Sequence, residues 1–561
     1  MTNAAQSSRE TRSLSAVAFL FLFLATSYQI LCASQDVTFL NQHVLKMDDA
    51  YYYFQSARNV VDLGWLTFDG VHATSGVQVL WSAVLAGIAL IVHDRTGFIR
   101  AVLVLSALLN GLAGLMLWRL GRNMYSGAVG GIAVVLWSGF MLGLLPMMMG
   151  VEYPLQVIII LAILSVWWAI HIDPSSERSR TRLHLLGILL TLNYWNRLDS
   201  ALLSLLVAFA TVVSLYTTRG SWLAFSRQIA SLAVWPSVSA VGYVAVCMIA
   251  AQTPMPISGL VKGYYAARHF DGQSWLTSLA GHVVWWLRVE TRPMVDVVCS
   301  ELLANNAPVL QTFPLAVLAA VGGATLWSAT HIVRERRQDV QRFRVTQFLA
   351  LAWVFGAIHA ALVVATIGHF SHVTQHYYGW LLITWCLWSG LMLERSLTTR
   401  RPASSWARPI AIGVITCLVA LNAALAWRQF RRPVEMSATL QNRRLHVIAW
   451  IDEHVPADAR IGAWNAGQIG YFSRRTVVNL DGLANDAGYL EVLRHGSLAD
   501  YLRRERITYF VDNDAPDLTM PYRASWDQTL FFHRTVPWSG LEKVYVEAGQ
   551  SDPIMVLRVR N

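Results

Sequence analysis

The sequence predicts an α-helical polytopic membrane protein of about 11 spanning helices, followed by a small C-terminal α/β domain outside the membrane. Apolar residues make up 55% of the 561 residues and charged residues only 14%, a composition typical of membrane proteins. Basic residues cluster in short loops between apolar runs. After about Arg428 the apolar runs shorten and alternate with polar residues, which indicates a folded region of a different kind.

The apolar runs predict the spanning helices, because a helix needs about 20 mainly apolar residues to cross a bilayer. The chain begins with Arg9 and Arg12 before the run Ala16–Cys32, which we interpret as an uncleaved signal-anchor with a cytoplasmic N-terminus. Cleavage near Cys32 is the alternative. The predicted spans are 14–34, 98–118, 126–145, 153–171, 183–196, 199–216, 228–250, 309–331, 346–367, 377–394 and 409–427.

The stretch Val77–Val92 decides the topology, since it is only about long enough to cross the membrane. If it crosses, the basic clusters Arg178–Arg182 and Arg334–Arg344 fall outside the cell. If it lies along the outer surface as a juxtamembrane helix, both clusters face the cytoplasm, as the positive-inside rule requires. The second arrangement predicts a transmembrane domain over 1–427, with an outer loop at 35–97, and an extracytoplasmic domain over 428–561.

Short strands and helices alternate in the C-terminal region. The expected strands are Ile461–Trp464, Val477–Leu480, Ile507–Val511, Val544–Val546 and Ile554–Val559, and the expected helices are His446–His454 and Leu498–Glu505. Strands that alternate with helices are typical of a small α/β domain.

Composition also argues against several functions. The net charge of +10 resides in loops of cytoplasmic type, so it does not indicate a nucleic-acid surface. The five cysteines form neither a CxxC metal motif nor a disulfide framework. No glycine-rich nucleotide-binding loop is visible.

The segment Asp48–Asn59 is the first candidate site, because it places two adjacent acids at the membrane edge, where charge is expensive and usually functional. On a helix, Asp49 and Tyr53 would share one face, and Asp48 and Tyr52 the neighbouring face. A carboxylate here can act as a general base toward a hydroxyl. The alternative is that Asp48 simply caps a short interfacial helix.

Other charged residues between apolar runs extend the candidate site. Glu152 lies between two spans, where it serves a site or simply reaches water. Arg197 and Asp199 lie inside an apolar stretch. They form an intrahelical pair there, or Arg197 faces an anionic ligand such as a phosphate. Lys262 follows a turn rich in proline and glycine and is either a phosphate-binding cation or a solvated loop lysine.

A third group lies in the loop after the ninth predicted span. His369, His372 and His376 are spaced to share a helical face and could support a metal site, although the loop has no carboxylate between them. A phosphate-facing His376 beside Tyr377 is the preferred interpretation. No cofactor is certain. A divalent metal ion is an alternative, held by Asp48, Asp49 and Glu152.

These residues together resemble the bacterial GT-C superfamily of integral-membrane glycosyltransferases that use polyprenyl-phosphate sugars. The first outer loop resembles the DDAY type, although Ser75 and Val79 stand where the family has Asn and Pro. The segments that carry the resemblance are Asp48–Tyr51, Thr67–Gly70, Thr74–Trp81, Gly150–Glu152, Arg197–Asp199, Pro256–Lys262, Gly462–Ser473 and Asn479–Leu483.

The resemblance implies a bacterial inner-membrane enzyme that transfers a sugar from a polyprenyl-phosphate donor to an extracytoplasmic glycan, lipid or protein acceptor. It implies that Asp48 deprotonates the acceptor hydroxyl. Arg197, Lys262 and His376 then hold the leaving phosphate, and Tyr52, Arg58, Asp199 and Tyr377 are expected to contact the substrate.

The second interpretation is a transporter or flippase of lipid-linked sugars without bond chemistry. A transporter typically shows paired halves with broken helices, and no internal symmetry is visible here. For the C-terminal domain two roles stay open: acceptor binding through Asn465 and Asp481 at strand ends, or a structural lid.

Overall fold

The computed structural model describes residues 2–45, 48–143, 148–173, 179–218, 221–269, 340–367, 379–398, 439–495, 497–512, 541–547 and 553–560, with a few isolated residues between 420 and 431. Within these ranges the chain forms a helical bundle that is followed by a five-stranded sheet. The predicted span 309–331 and most of the span 409–427 lie outside the described residues.

The bundle is built from long apolar helices. In chain order the helices are α1 (Thr2–Ala33), α2 (Val37–His43), α3 (Asp49–Leu63), α4 (Val79–Ala89), α5 (Arg95–Met124), α6 (Gly127–Gly143), α7 (Tyr153–Ile172), α8 (Ser179–Asn196), α9 (Ala201–Thr217), α10 (Trp222–Ala251), α11 (Ile257–His269), α12 (Val340–Ile367) and α13 (Gly379–Thr398). A helix therefore lies at each predicted span in the described part of the chain.

Five stretches of the described part are long and apolar enough to cross a membrane: Leu14–Ala33, Arg95–Met124, Tyr153–Ile172, Leu198–Thr217 and Trp222–Ala251. Their outer surfaces carry exposed apolar side chains such as Phe23, Phe209 and Ile249. Such a surface is costly in water and suits lipid. The protein is accordingly a polytopic membrane protein.

Helix α4, which covers the ambiguous stretch Val77–Val92, has only 11 residues. At 1.5 Å per residue it is about 16 Å long, roughly half the hydrocarbon thickness of a bilayer. It packs against α3, and the two helices belong to the segment between α1 and α5. The helix is therefore too short to cross a bilayer by itself, and its place along the outer surface stays a prediction.

Helices α8 and α9 meet at a sharp turn formed by Arg197 and a 3-10 turn at Leu198–Ser200. The amide of Asn193 donates to the hydroxyl of Ser204 at 3.0 Å, so the helices run back along each other as a hairpin. Arg197 has an extended backbone, which ends α8. This geometry places the charged turn at one end of the hairpin.

The C-terminal α/β region contains α14 (Leu440–His454), α15 (Ala466–Phe472), α16 (Ala487–His495) and α17 (Leu498–Arg504). Its strands are β1 (Arg460–Ala463), β2 (Thr476–Asn479), β3 (Ile507–Asp512), β4 (Leu541–Glu547) and β5 (Ile554–Val559). They lie in the order β2-β1-β3-β5-β4. The strands expected from the sequence are therefore confirmed.

Strand direction determines what this sheet presents to the bundle. Strands β2, β1 and β3 are parallel, β5 pairs with β3 in antiparallel fashion, and β4 pairs with β5 in antiparallel fashion. The carboxyl ends of β1 and β2 lead into α15 and the Asn479–Leu483 turn, which contact α3. The sheet thus meets the outer loop at a position where α/β folds commonly carry sites.

Candidate active site

A cleft lies between the outer loop, the ends of α7 and α8, α11 and the C-terminal α/β region. Its wall carries four charged residues and two tyrosines. The lining residues are Asp49, Tyr52, Tyr53, Gly76, Val77, Gln78, Val151, Glu152, Arg197, Ser258, Lys262, Leu483 and Ala484. Four candidate residues from four separate segments, Asp49, Glu152, Arg197 and Lys262, therefore share one cleft.

Asp49 is the acid of the adjacent pair that faces the cleft. It is the first residue of α3, and it is exposed to the cleft. The protein around it displaces bulk water, which raises the pKa of its carboxyl, and the Asp48 and Glu152 charges act in the same direction. The Lys262 ammonium opposes them. Asp49 and Lys262 therefore bring opposite charges to the same cleft.

Tyr53 lies one helical turn from Asp49, as the spacing predicts, and also lines the cleft. Burial raises the pKa of its phenol well above the ordinary value, and the charges of Glu152 and Asp49 add to this. The phenol therefore stays protonated and presents a hydroxyl beside both carboxylates.

Glu152 and Arg197 form a buried ion pair through the Arg197 Nη1 and Glu152 Oε1 atoms. The Arg197 Nε atom also binds Asp199 Oδ1 at 3.1 Å, and His359 Nε2 lies 3.2 Å from Asp199 Oδ2. Buried charges persist when they are paired in this way. Arg197 thus lies at the cleft wall with its charge paired to both Glu152 and Asp199.

Gly150 shapes the turn that carries Glu152. Its φ is +78°, a conformation that glycine adopts without strain, and a Cβ atom there would lie 2.5 Å from the Phe54 ring of α3. The Gly150 carbonyl accepts a hydrogen bond of 3.0 Å from the Trp81 indole of α4. The Gly-Val-Glu turn therefore packs closely against α3 and is hydrogen-bonded to α4.

Lys262 reaches the cleft from α11. The backbone N–H of Ile257, the first residue of α11, donates to the Ser75 hydroxyl at 3.1 Å. Ser75, which departs from the family pattern, thus caps this helix from the outer loop. The contact holds the Lys262 helix against the same loop that carries Asp49.

Asp48 points away from the cleft wall and into the C-terminal region. Its Oδ2 atom accepts from the Gly467 N–H at 2.7 Å, and its Oδ1 atom accepts from the Gln468 N–H at 2.9 Å and from Arg444 Nη1 at 3.0 Å. Its side chain makes no capping bond to α3 and instead caps α15. Three donors occupy the carboxylate, which goes against the expected role of Asp48 as the base.

The Tyr52 hydroxyl also contacts the C-terminal region. The hydroxyl accepts from the Ala466 N–H at 2.9 Å and from the Asn479 side chain at 3.0 Å, and it lies 3.4 Å from Asp481 Oδ2. Burial raises the pKa of Asp481 to about 7, an effect that the Leu483 N–H and Asn479 oppose and that the nearby Asp48 and Asp49 charges reinforce. The Tyr52 hydroxyl therefore anchors the C-terminal region, and Tyr52 also lines the cleft.

The other predicted residues divide into two groups. Arg58 lies beside Tyr471 and Arg95, away from the residues that line the cleft. His376 and Tyr377 lie outside the described residues. Within the described ranges no group of three or more His, Cys, Asp or Glu side chains is arranged to hold a metal ion, so Asp48, Asp49 and Glu152 do not converge there.

Sequence reasoning missed several residues that shape the site. Arg444, Gly467 and Gln468 bind Asp48, and His359 binds Asp199. Their partners lie hundreds of residues away in most cases, and nothing in the local sequence marks them. The available sequence signal was the tail segment Gly462–Ser473, which contains both Gly467 and Gln468.

Comparison with known proteins gives a family match in the tail and a fold for most of the chain. Residues 431–551 match the family described as a domain of unknown function (DUF8728). No curated protein matches the sequence. One similar solved structure is the archaeal oligosaccharyltransferase AglB from Archaeoglobus fulgidus in complex with an inhibitory peptide and a dolichol-phosphate, with a TM-score of 0.51 at 12% identity over 90% of this chain and 70% of that chain.

A second similar structure is apo ArnT from Cupriavidus metallidurans, with a TM-score of 0.47 at 13% identity over 96% of this chain and 97% of that chain. The likeness to AglB shows that the two chains share a fold, which is the GT-C fold. At this level of identity the likeness concerns the fold alone.

Proposed function

We propose that the protein is a membrane glycosyltransferase that transfers a sugar from a polyprenyl-phosphate donor to an acceptor of the cell envelope. The observation that carries the proposal is the placement of Asp49 in one cleft with Lys262 and Arg197. Sugar transfer from a lipid phosphate needs a base for the acceptor and cations for the leaving phosphate. The cleft offers both kinds of group.

In the proposed reaction, the oxygen of an acceptor hydroxyl attacks the anomeric carbon of the sugar. The bond between that carbon and the phosphate oxygen breaks, and its electron pair leaves with the polyprenyl phosphate. Asp49 accepts the hydroxyl proton, and its raised pKa makes it a stronger base than an ordinary aspartate. Lys262 and Arg197 stabilise the charge that develops on the phosphate.

The proposal replaces Asp48 by Asp49 as the base. Asp48 already accepts three hydrogen bonds, whereas Asp49 is exposed to the cleft. Glu152 keeps Arg197 in place through their ion pair, and its position on the cleft wall suits contact with sugar hydroxyls. A divalent metal ion is not required in this scheme.

The donor class is supported by two features. AglB, which shares the fold, was solved with a dolichol-phosphate, which is a polyprenyl-type lipid phosphate. A lipid-linked donor also suits a site beside a membrane bundle, because its prenyl chain can stay in the bilayer. We further propose the bacterial inner membrane as the location, with about 11 spans, a cytoplasmic N-terminus and an extracytoplasmic C-terminal region, as the distribution of basic loops favours.

The test is to incubate the purified protein in nanodiscs with a panel of polyprenyl-phosphate sugars and a bacterial envelope extract as the acceptor. Release of free polyprenyl phosphate that depends on the extract supports transfer. A transporter or flippase would instead bind the donor saturably and move it across a vesicle bilayer without releasing lipid phosphate. Donor transport without release of lipid phosphate would contradict the proposed glycosyltransferase and favour a transporter.

A further inference from the structure

We infer that the C-terminal α/β region, including the segment that matches a domain of unknown function, is a built-in part of the catalytic centre that holds Asp49 in position through Asp48 and Tyr52. The inference rests on the proposed function and extends it to this region. It makes Asp48 and Arg444 positioning residues rather than catalytic ones.

The first support is how Asp48 is bound. The side chain of Asp48 is 10% exposed and that of its partner Arg444 is 3% exposed, so the ion pair is largely inaccessible to solvent. The two N–H groups that bind Asp48 belong to Gly467 and Gln468 in the first turn of α15, where backbone donors have no partner within the helix. Because Asp48 and Asp49 are neighbours in the chain, fixing the Asp48 carboxylate also fixes the backbone at the start of α3.

The second support is an independent anchor one turn along α3. The Tyr52 hydroxyl is bound by the Ala466 N–H and the Asn479 amide, which follow β1 and end β2 respectively. Asp48 and Tyr52 share one helical face, and both are held by the C-terminal region. The adjacent face carries Asp49 and Tyr53, which line the cleft together with the Tyr52 side chain.

The third support is the tight fit of the two surfaces. A Cβ atom on Gly76 of the outer loop would lie 1.9 Å from the Leu483 carbonyl oxygen, and a Cβ atom on Gly467 would lie 2.8 Å from Asp48 Oδ2. Leu483 and Ala484 complete the cleft wall. The C-terminal region therefore both orients Asp49 and forms part of the cleft wall.

The test compares variants on the two sides of the interface, measured as kcat and donor KM for polyprenyl phosphate release. Asp48→Asn keeps one acceptor oxygen, and Arg444→Met removes the ion pair from the C-terminal side without touching the cleft. We expect each variant to lower kcat roughly 10-fold to 100-fold, as misplacement of a catalytic group does, with donor KM changed less than about 3-fold. Asp48→Ala should lose more activity than Asp48→Asn.

Arg475→Met is the matched control. Arg475 is also buried, with 10% of its side chain exposed, but it binds only within the C-terminal region, to the carbonyls of Asp452 and Val455. Its loss should lower the thermal stability while leaving kcat of the folded protein within about 3-fold of wild type. An equal loss of kcat in Arg475→Met would reduce the effect to general destabilisation and overturn the inference.

The remaining outcomes separate the inference from the proposed function. If wild type releases lipid phosphate and Asp49→Asn does not, but Asp48→Asn and Arg444→Met match wild type, the function stands and the inference fails. If folded Asp48→Asn is as inactive as Asp49→Asn, Asp48 is itself a catalytic residue and the inference also fails. If wild type releases nothing with any donor, the proposed function fails first. The inference, which rests on that function, then fails with it.

Discussion

Arg444 and Asp48 form a buried ion pair, with 3.0 Å between Nη1 and Oδ1, although they lie 396 residues apart in the chain. The pair joins the helix that opens the C-terminal region to the residue that precedes α3. It explains why two adjacent acids serve two purposes, since one carboxylate fastens the loop and the other faces the cleft.

Lys262→Gln tests the phosphate site. The change removes the ammonium group that faces Asp49 and lines the cleft. We expect donor KM to rise about 10-fold or more, because charge-assisted hydrogen bonds to phosphate are among the stronger polar contacts. Lys543→Gln, on an exposed strand residue away from the cleft, is the control. Equal donor KM values for the two variants would remove Lys262 from the phosphate site.

Arg197→Met tests the buried ion pairs that Arg197 forms with Glu152 and Asp199, and the readouts are thermal stability and donor binding. The change leaves Glu152 and Asp199 without their shared cation, and breaking a buried pair from one side typically costs about 3–5 kcal/mol. We expect a large drop in thermal stability as well as weaker donor binding. Glu152→Gln combined with Arg197→Met should recover part of the stability, and no recovery in the double variant would contradict the pairing.

Gly76→Ala tests the close approach of the outer loop and the C-terminal region. A single methyl group would collide with the Leu483 carbonyl, so the two surfaces must separate. We expect loss of most activity and increased proteolysis between the two parts. The control is Gly87→Ala on α4, where a Cβ atom would meet open space and where alanine favours the helix. Wild-type behaviour of Gly76→Ala would show that the contact is not needed.

The pH dependence of stability follows from His72. Its Nδ1 atom lies 2.6 Å from Asp69 and its Nε2 atom 3.2 Å from Glu505 of the C-terminal region. Burial opposes the charged form, but the Asp69, Asp486 and Glu505 carboxylates outweigh it and raise the pKa of His72 above its ordinary 6.5. Because the pKa of His72 is raised in the folded state, protonated His72 stabilises the fold. This stabilisation is complete below pH 6.5 and is lost as the pH rises through the folded-state pKa.

We therefore expect the thermal midpoint of wild type to fall between pH 6 and pH 9, and this fall to be smaller in His72→Gln. The matched variant is His446→Gln, which loses an exposed contact with Glu547. It should show the wild-type pH dependence. A His72→Gln protein with the full wild-type fall would contradict the assignment.

The helix periodicity of the Asp48–Asn59 segment was enough to predict the two faces of α3, because residues four apart share a face. It could not predict which face meets the cleft. That choice depends on Gly467, Gln468 and Arg444, whose contacts with Asp48 span about 400 residues and leave no local pattern. The strands of the C-terminal region were predictable from alternation, whereas the docking of their loops onto Tyr52 was not.

The most direct test of the central claim is the release of polyprenyl phosphate by Asp49→Asn, with Asp62→Asn as the control. Both acids lie on α3, but Asp62 is exposed near its end and does not line the cleft. We predict that Asp49→Asn lowers release at least about 10³-fold while donor binding and thermal stability stay close to wild type, and that Asp62→Asn keeps full activity. Full activity in Asp49→Asn would contradict the account.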